Sequence, residues 1–286
     1  MLVQDYDTTV RYAAKVLSSQ RITPAMSQED VREILIEVES QEFDAKVGQN
    51  IGVLTPGVNE FGERHHLRLY SVADLPHRTS NGHQQHSICV RRCRYVDPVS
   101  GKEYPGVASN YLCDLRPGDT LTVVGPYGLA FQVPSSHDAT VILIGAGTGI
   151  APFHAFVKHI YTHEPGHAGR VWLFHGAETG LDLLYRNEEK NDLALYYDRD
   201  MFEVFDALCK HPGSSDAIDW GEAMHSRGEE LCKLLSDPKT YVYVAGLTKI
   251  RDELDEVLTG IAGSSQRWFQ WKSKLQSENR WIEVLY

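Results

Sequence analysis

Residues 139–163 read ATVILIGAGTGIAPFHAFVKHIYTH and contain the pattern that decides the fold. The run ATVILIGAG is almost wholly apolar, as a strand that is buried on both faces requires. Its glycine-rich end leads into GIAPFHAFVKHIYTH, where apolar residues recur with helical spacing. A buried strand that passes through a glycine-rich turn into a helix predicts a parallel α/β sheet.

The glycine-rich turn has a composition suited to phosphate binding. Gly145, Gly147 and Gly149 let the backbone approach a ligand closely, and the N-terminus of the following helix offers free N–H groups. Pro152 occupies the first helical turn, where the usual G-x-G-x-x-G pattern has a third glycine. Two interpretations therefore stay open at this stage, a pyrophosphate site and a simple tight turn.

The rest of the sequence predicts two domains. After residue 136, strand-like runs such as RVWLFHGAE and TYVYVAGL alternate with helix-like runs such as KIRDELDEVLTGI. This alternation is typical of a doubly wound parallel sheet. Before it, short β-rich runs separated by glycine and proline turns predict an antiparallel β-barrel or sandwich. We expect a barrel domain over 1–136 and an α/β domain over 137–286.

Composition limits the class of protein. The net charge of -11 argues against general nucleic-acid binding, and no stretch has the ~18 apolar residues of a membrane span. The five cysteines are scattered and predict neither a disulfide framework nor an iron–sulfur cluster. The first residues do not form a secretory signal, which predicts a cytoplasmic location. An organellar stroma stays open if a transit peptide was removed.

Several short motifs occur in a fixed order along the chain. They are RLYS (68–71), ICVRRCRY (88–95), GVASNYLCDLRPGD (106–119), GPYG (125–128), GAGTGIAPF (145–153), WLFHGAETGLDLLY (172–185), YVYVAGL (241–247) and EVLY (283–286). Together they resemble the plant-type ferredoxin–NADP⁺ reductase family, over nearly the whole chain from VGQNIGVL (47–54) onward. The resemblance implies an FAD-binding antiparallel barrel followed by an NAD(P)-binding α/β domain.

The resemblance also implies site residues. Arg68 would pair with the FAD pyrophosphate, Tyr70 would stack on the isoalloxazine ring, and Tyr95 would pack against the adenine. Ser71 and Glu283 would support proton movement at flavin N5, and Tyr286 would cover the flavin as an aromatic lid. The implied FAD residues are Arg68, Leu69, Tyr70, Ser71, Cys89, Val90, Arg91, Tyr95, Gly106, Val107, Ala108, Ser109 and Tyr286. The implied dinucleotide residues are Gly147, Thr148, Gly149, Lys210, Gly246 and Leu247.

Three positions depart from the family pattern. Ala245 stands where members typically have a cysteine, which predicts slower hydride transfer. The Ser-Arg pair that binds the 2′-phosphate of NADP falls on Leu208 and Cys209, which leaves Lys210, His211 and Arg251 as candidate cations. NADP and NAD therefore both stay open as the dinucleotide. The family commonly ends in Glu-Val-Tyr, whereas this sequence has one additional residue, Leu285, before Tyr286.

The function predicted from the sequence is that of an oxidoreductase, a ferredoxin–NAD(P)⁺ reductase-like flavoenzyme. It would pass electrons between NAD(P)H and a one-electron carrier such as an acidic ferredoxin or flavodoxin. One alternative is the reductase component of a multicomponent oxygenase, and another is a non-catalytic nucleotide-binding interaction subunit. The basic runs VRRCRY and WKSK could dock an acidic partner or lie on solvated edges. The histidines of the 77–86 loop are interpreted as polar loop residues, and no metal is predicted.

Overall fold

The computed structural model describes residues 6–57, 65–128, 134, 136–164, 166–197, 199, 201–213 and 217–286. The chain divides into two compact units. One consists of Met1–Gln132 with His154–His159, and the other of Val133–Phe153 with Ile160–Tyr286.

The first unit is built of short strands and one helix. The strands are β1 (Arg11–Arg21), β2 (Val31–Val38), β3 (Asn50–Pro56), β4 (His65–Ser71), β5 (His77–Arg78), β6 (Gln84–Arg91), β7 (Arg94–Val96), β8 (Glu103–Pro105) and β9 (Thr120–Tyr127). Helix α1 (Val107–Asp114) lies between β8 and β9 in the chain. Strands β7 and β8 form a separate antiparallel hairpin.

Seven of the described strands in this unit form one antiparallel sheet, in the order β4-β3-β9-β1-β2-β6-β5. A single bridge from Val72, directly after β4, to Ile88 in β6 brings the two ends of the sheet together without a closing ladder. The sheet is therefore barrel-like but open. The antiparallel architecture predicted from the sequence is confirmed, whereas full closure of the barrel is not found among the described strands.

Alternation along the strands creates the core of the first unit. In β2, Val31, Ile34, Ile36 and Val38 are buried, and the residues between them are only partly buried. Ile34, Ile36 and Val38 pack with apolar residues of other strands and of α1 into one cluster. Burial of apolar surface on this scale is the main force that holds such a sheet together.

The second unit contains five strands and most of the helices. The strands are β10 (Thr140–Ala146), β11 (Val171–Ala177), β12 (Phe202–Leu208), β13 (Thr240–Gly246) and β14 (Trp281–Leu285). The helices are α2 (Ala151–His163), of which His154–His159 belong to the first unit, α3 (Trp220–His225), α4 (Gly228–Ser236), α5 (Ile250–Ala262) and α6 (Ser265–Ser277). Short 3₁₀ helices cover Gly147–Ile150, Gly180–Asp182 and Asp192–Tyr196.

These strands are all parallel, in the order β12-β11-β10-β13-β14. The chain moves outward from β10 to β12 and then crosses back to β13, so the order reverses between β10 and β13. Ligands of open α/β sheets bind at such a switch point, outside the carboxyl ends of the strands. The parallel α/β sheet predicted from residues 139–163 is thereby confirmed.

One face of this sheet packs against helices. In α5, Ile250, Leu254, Leu258 and Ala262 recur every four residues and are buried. They join Val242 and other sheet residues in one cluster. Helix α5 then stops at Gly263, whose φ of 80° is the left-handed conformation that glycine adopts at helix ends. No described helix is both long and apolar enough to cross a membrane.

Candidate functional site

Strand β4 presents its residues on two faces, as the sequence pattern predicts. Leu67 and Leu69 pack into one small apolar cluster, whereas Tyr70 packs against the main core of the first unit. Arg68 is exposed, and its guanidinium donates to the main-chain oxygen of Leu67 at 2.8 Å. Within the described residues Arg68 makes no ion pair. Among the residues that the structure describes, no carboxylate competes for this cation, which suits a site for an anionic ligand.

The hydroxyl of Tyr70 lies in a poorly solvated environment beside sulfur atoms. Burial raises the pKa of Tyr70 well above its usual value, and the nearby thiols of Cys113 and Cys93 act in the same direction. Burial likewise raises the pKa of Cys113 to about 12. Both groups therefore stay neutral at physiological pH, and Tyr70 can serve as an uncharged ring.

Ser71 has a partner that the sequence did not indicate. Its hydroxyl donates to the side-chain oxygen of Asn50 at 2.8 Å. The two residues are directly opposite each other where β3 pairs with β4. The hydrogen bond fixes the orientation of the Ser71 hydroxyl, so Asn50 is an additional candidate site residue. Only the register between the strands reveals it, because the two positions are far apart in the chain.

Helix α1 starts without a side-chain cap. Its N-cap residue is Gly106, which has no side chain to accept a hydrogen bond from the first turn. The first N–H groups of a helix need partners from outside it, and an anion can provide them. A Cβ atom at Gly106 would lie 3.0 Å from Ser109 Oγ and 3.2 Å from the oxygen of Cys93. Glycine at this position thus permits close packing at the start of the helix.

The loop before α1 is held in place by side chains of the helix. Ser109 accepts a hydrogen bond from the N–H of Cys93 at 3.0 Å, and Asn110 donates to the oxygens of Cys93 and Gly106 at 2.9 and 2.8 Å. The start of α1 also lies beside β4. A Cβ atom at Gly57 would be within 2.9 Å of His66 and 3.6 Å of Val107.

These observations fit the pyrophosphate group of FAD. Phosphate oxygens accept hydrogen bonds from guanidinium groups and from the first N–H groups of helices. Here Arg68 makes no ion pair among the described residues, and α1, whose N-cap residue has no side chain, begins beside the same strand. Val107 is exposed at this helix start, whereas Ala108 is buried. The side chains of Cys89 and Val90 are also buried, so any contact of these two residues with a cofactor must come from the main chain.

Two tyrosines stand together on the β7–β8 hairpin. Tyr95 and Tyr104 are paired across the strands, and their rings stack with centroids 5.5 Å apart and an interplanar angle of 23°. Tyr95 is 56% exposed. An exposed and braced ring can stack on a flat heterocycle such as adenine. Tyr104 was missed at the sequence level, because strand pairing alone brings it beside Tyr95.

The arginines of the VRRCRY run all have acidic partners. Arg91 pairs with Glu29 at 3.7 Å, and Arg94 pairs with Glu103 at 3.4 Å. Arg92 lies 2.9 Å from both Asp30 and Asp114. A docking partner that used these arginines would have to compete with carboxylates of this chain.

The glycine-rich turn of the second unit lies at the switch point of its sheet. Gly147 begins the 3₁₀ helix with a φ of 53°, and no side chain caps that helix. A Cβ atom at Gly149 would fall on the carbonyl oxygen of Ala245, at the end of β13. The turn therefore approaches β13 as closely as a backbone can, and its N–H groups lack a side-chain acceptor. This geometry fits the phosphates of a dinucleotide.

The end of β13 is open beside this turn. Gly246 has a φ of 147°, which favours glycine, and Leu247 is 41% exposed. Ala245 is buried, with the backbone of Gly149 against its carbonyl group. The family cysteine expected here is replaced by a side chain that carries no polar atom.

Tyr286 lies across the carboxyl end of β13. Its N–H donates to the oxygen of Gly246 at 3.1 Å, and its hydroxyl shares a hydrogen bond of 2.6 Å with Thr148 in the glycine-rich turn. The ring is 57% exposed. Tyr286 thus reaches from the end of β14 to the turn that follows β10.

Glu283 has different surroundings from Tyr286. Its carboxylate accepts from Arg251 at 2.8 Å and from the indole of Trp281 at 2.7 Å, with Lys272 at 3.7 Å. The extra residue Leu285 makes the spacing between Glu283 and Tyr286 odd, so the two side chains lie on opposite faces of β14. The proton-relay role implied for Glu283 stays a prediction, and the structure engages its carboxylate in other contacts.

Lys210 follows the end of β12 and is exposed, but it has an acidic partner. Its ammonium lies 2.7 Å from Asp219, which also caps α3 by accepting from the N–H of Glu222 at 2.9 Å. The hydrogen bond between them raises the pKa of Lys210 and lowers the pKa of Asp219. The neighbouring Trp220 is 1% exposed, and its indole N–H donates to Glu253. It cannot offer a ring face to a ligand.

The histidines of the 77–86 loop have separate environments. His83 lies 3.3 Å from Glu37, and His86 is fully buried against Phe43. Burial lowers the pKa of His86 to about 4, so it is neutral at physiological pH. The interpretation of His86 as a polar loop residue was wrong, because β6 carries its side chain into the core.

Comparisons with known proteins agree with this geometry. A family profile described as "Oxidoreductase NAD-binding domain" matches residues 143–254. Ferredoxin–NADP reductase from Spirulina sp. is 30% identical over 281 residues, which cover 96% of this chain and 95% of that protein. The chloroplastic leaf isozyme 1 of ferredoxin–NADP reductase from Arabidopsis thaliana is 32% identical, with 96% of this chain and 77% of that protein covered.

A solved structure shares the fold. Ferredoxin–NADP⁺ reductase from Plasmodium falciparum superimposes with a TM-score of 0.74 at 20% identity, with 98% of both chains covered. The sequence relatives named above cover nearly the whole chain at 30% identity or more, and the solved structure shares the fold. This chain belongs to the ferredoxin–NADP reductase family.

Proposed function

We propose that the protein is an FAD-dependent oxidoreductase that passes electrons between NADPH and ferredoxin. The observation that carries this proposal is the presence of two phosphate-binding geometries in one chain. The first combines Arg68 with the uncapped helix α1, and the second is the glycine-rich turn at the switch point. A flavin and a nicotinamide dinucleotide each need one of them.

Each half of the sequence would bind one of the two nucleotides. Residues 1–136 would hold FAD, and residues 137–286 would hold the dinucleotide. Arg68 and the first turn of α1 would bind the pyrophosphate of FAD, Tyr70 would lie against its ring system, and Tyr95 would lie against the adenine. The bound flavin supplies the chemistry, since it accepts a hydride and releases electrons singly.

The protein's own residues would orient and protect the reacting groups. Ser71, held by Asn50, would present its hydroxyl to flavin N5 in a fixed direction. The turn around Thr148, with Gly246 and Leu247 beside it, would hold the dinucleotide. Tyr286 would act as a lid that moves aside for nicotinamide, because its hydroxyl is bound to Thr148, where we expect the dinucleotide.

We propose NADPH as the dinucleotide, with NADH as a weaker alternative. Names of the relatives from Spirulina and Arabidopsis specify NADP. Lys210 is the candidate cation for the 2′-phosphate, at the carboxyl end of β12 and thus at the same end of the sheet as the glycine-rich turn. Its ion pair with Asp219 would reduce the preference for NADPH.

We propose that the protein is located in the cytoplasm, with an organellar stroma as the alternative. Two relatives are named as chloroplastic and cyanelle proteins, from Arabidopsis thaliana and Cyanophora paradoxa. Expression of the tagged chain in its own cells, followed by fractionation, separates the two locations. Recovery with organelles rather than with the cytoplasmic fraction would contradict the cytoplasmic proposal.

The electron acceptor is tested with the FAD-loaded protein under anaerobic conditions. NADPH should reduce a plant-type ferredoxin, followed through a terminal cytochrome c, and omission of ferredoxin is the control. Flavodoxin is the second acceptor to compare. No reduction of either carrier by a protein whose flavin NADPH does reduce would contradict the ferredoxin proposal. Such a result would favour the reductase of a multicomponent oxygenase.

A further inference from the structure

Strand β14 has a regular register with no bulge. From Trp281 to Leu285 each residue pairs with successive residues of β13. Trp281 and Leu285 therefore face the same way, and both pack into the helix-side core of the second unit. Glu283, halfway between them, faces those helices as well. Tyr286 has the opposite parity and bonds to the glycine-rich turn.

Both oxygens of the Glu283 carboxylate accept hydrogen bonds on this face. Arg251 of α5 approaches one oxygen with both Nε and Nη2 at 2.8 Å. The other oxygen accepts from Trp281 at 2.7 Å and lies 3.7 Å from the ammonium of Lys272 in α6. The Glu283 side chain is 15% exposed. One carboxylate thus ties β14 to both α5 and α6.

The surrounding charges are balanced. Lys272 also binds Asp255 at 2.8 Å, and Asp255 accepts from the indole of Trp268 at 2.8 Å. Two cations, Arg251 and Lys272, therefore face two carboxylates. The Lys272 and Glu283 side chains are mostly buried, whereas those of Arg251 and Asp255 are 45% and 39% exposed. Removing one member of such a cluster leaves a poorly solvated charge behind, which weakens the local structure.

The same region also holds the main chain of Tyr286. Thr248, just before α5, donates to the oxygen of Tyr286 from its N–H at 3.1 Å and its hydroxyl at 3.2 Å. Two contacts thus link the beginning of α5 to the C-terminal strand. Arg251 binds the Glu283 side chain, and Thr248 binds the main chain of Tyr286. Movement of β14 away from α5 would carry the ring of Tyr286 with it.

We propose that Glu283 is a positioning residue that holds β14, and through it the ring of Tyr286, against the glycine-rich turn. It does not serve as an acid or base for the flavin. The extra residue Leu285 is the cause, because it places the carboxylate and the ring on opposite faces of the strand. This inference rests on the proposed function only where dinucleotide binding is used as a readout.

The test compares Glu283→Gln and Arg251→Gln with Glu256→Gln, a charge-matched change at an exposed residue of α5. Amide hydrogen exchange over residues 284–286 reports the opening of β14 without any cofactor chemistry. We expect exchange at least roughly tenfold faster in the first two variants and unchanged in the third. Unchanged exchange in Glu283→Gln would overturn the proposal.

A second readout separates positioning from a purely structural role. If Tyr286 is a lid, Glu283→Gln in the FAD-loaded protein should tighten NADP⁺ binding severalfold. The effect should not add to that of Tyr286→Ser. The pH profile of turnover should keep its shape. Fully additive effects, or loss of one limb of the profile in Glu283→Gln while Arg251→Gln keeps it, would overturn the proposal.

The two readouts also keep this proposal distinct from the proposed function. Failure of NADPH to reduce the flavin of the unmodified protein would reject the proposed function. Hydrogen exchange would still decide whether Glu283 holds β14. Fast exchange without any change in NADP⁺ affinity, in a protein that binds NADP⁺, would overturn the positioning role and leave the proposed function intact.

Discussion

Two cations that we expect to meet phosphate groups have different environments. Arg68 on β4 has no carboxylate partner among the described residues, whereas Lys210 after β12 is bound to Asp219. A free guanidinium gains the full charge-assisted hydrogen bonds of a phosphate. A lysine must first give up its own carboxylate. The comparison shows that the cation expected at the FAD pyrophosphate faces no carboxylate among the described residues. The cation expected at the 2′-phosphate is partly neutralised by Asp219.

The largest effect should come from replacing Arg68. Arg68→Ala should weaken FAD binding on the order of ten- to a hundredfold, because a charged hydrogen-bond donor to the pyrophosphate is lost. FAD dissociation measured by the recovery of flavin fluorescence checks this. Arg116→Ala is the matched control, since Arg116 is also exposed in the first unit and makes no ion pair within the described residues. Equal FAD affinity in the two variants would refute the role of Arg68.

A smaller and selective effect is expected at the paired cation. Lys210→Ala should lower kcat/KM for NADPH by roughly fivefold and leave kcat/KM for NADH nearly unchanged, since a surface cation contributes modestly. NADH is the internal control, because it lacks the 2′-phosphate. A parallel loss with both dinucleotides would mean that Lys210 does not contact this phosphate.

The smallest effect on dinucleotide use should come from replacing Asp219, the carboxylate that pairs with Lys210. Asp219→Asn should raise kcat/KM for NADPH by roughly two- to fivefold, because Lys210 no longer has a competing carboxylate. Asparagine is also a good N-cap, so α3 should keep its start. Steady-state kinetics with both dinucleotides measures the change. If the ratio of the two kcat/KM values stays constant, the ion pair does not control specificity.

Two glycines of the turn also have different surroundings. A Cβ atom added at Gly147 would meet nothing within 4 Å, whereas one added at Gly149 would meet the backbone of Ala245. Gly149→Ala should destabilise the second unit by about 1–3 kcal/mol or more, because the added methyl group would meet the backbone of Ala245. Gly147→Ala is the control, since nothing lies within 4 Å of its added Cβ and only its positive φ opposes the change. Thermal unfolding of both variants tests this order, and a larger loss in Gly147→Ala would contradict it.

Local patterns in the sequence predicted much of the fold. The apolar run before Gly145 predicted a buried strand, and β10 is buried over most of its length. Alternation in RLYS predicted that Arg68 and Tyr70 share a face. The open barrel was not foreseen, because closure depends on pairing between the first and last strands of the sheet and not on any one segment.

The parts of the site that sequence could not predict depend on pairing over long distances. The hydrogen bond from Ser71 to Asn50 follows from the β3–β4 register, and the stack of Tyr95 on Tyr104 follows from the β7–β8 register. The orientation of Glu283 required the register of β14 against β13. The family resemblance named Ser71, Tyr95 and Glu283 but could not show what each of these side chains contacts.

The most direct test of the central claim is reduction of the bound flavin by NADPH. The purified protein, loaded with FAD and kept anaerobic, is mixed rapidly with NADPH while the visible absorption of the flavin is followed. We expect the flavin band to bleach, and to bleach more slowly with NADH at the same concentration. A protein that binds FAD but whose flavin neither dinucleotide reduces would contradict the assignment as an NADPH-dependent oxidoreductase.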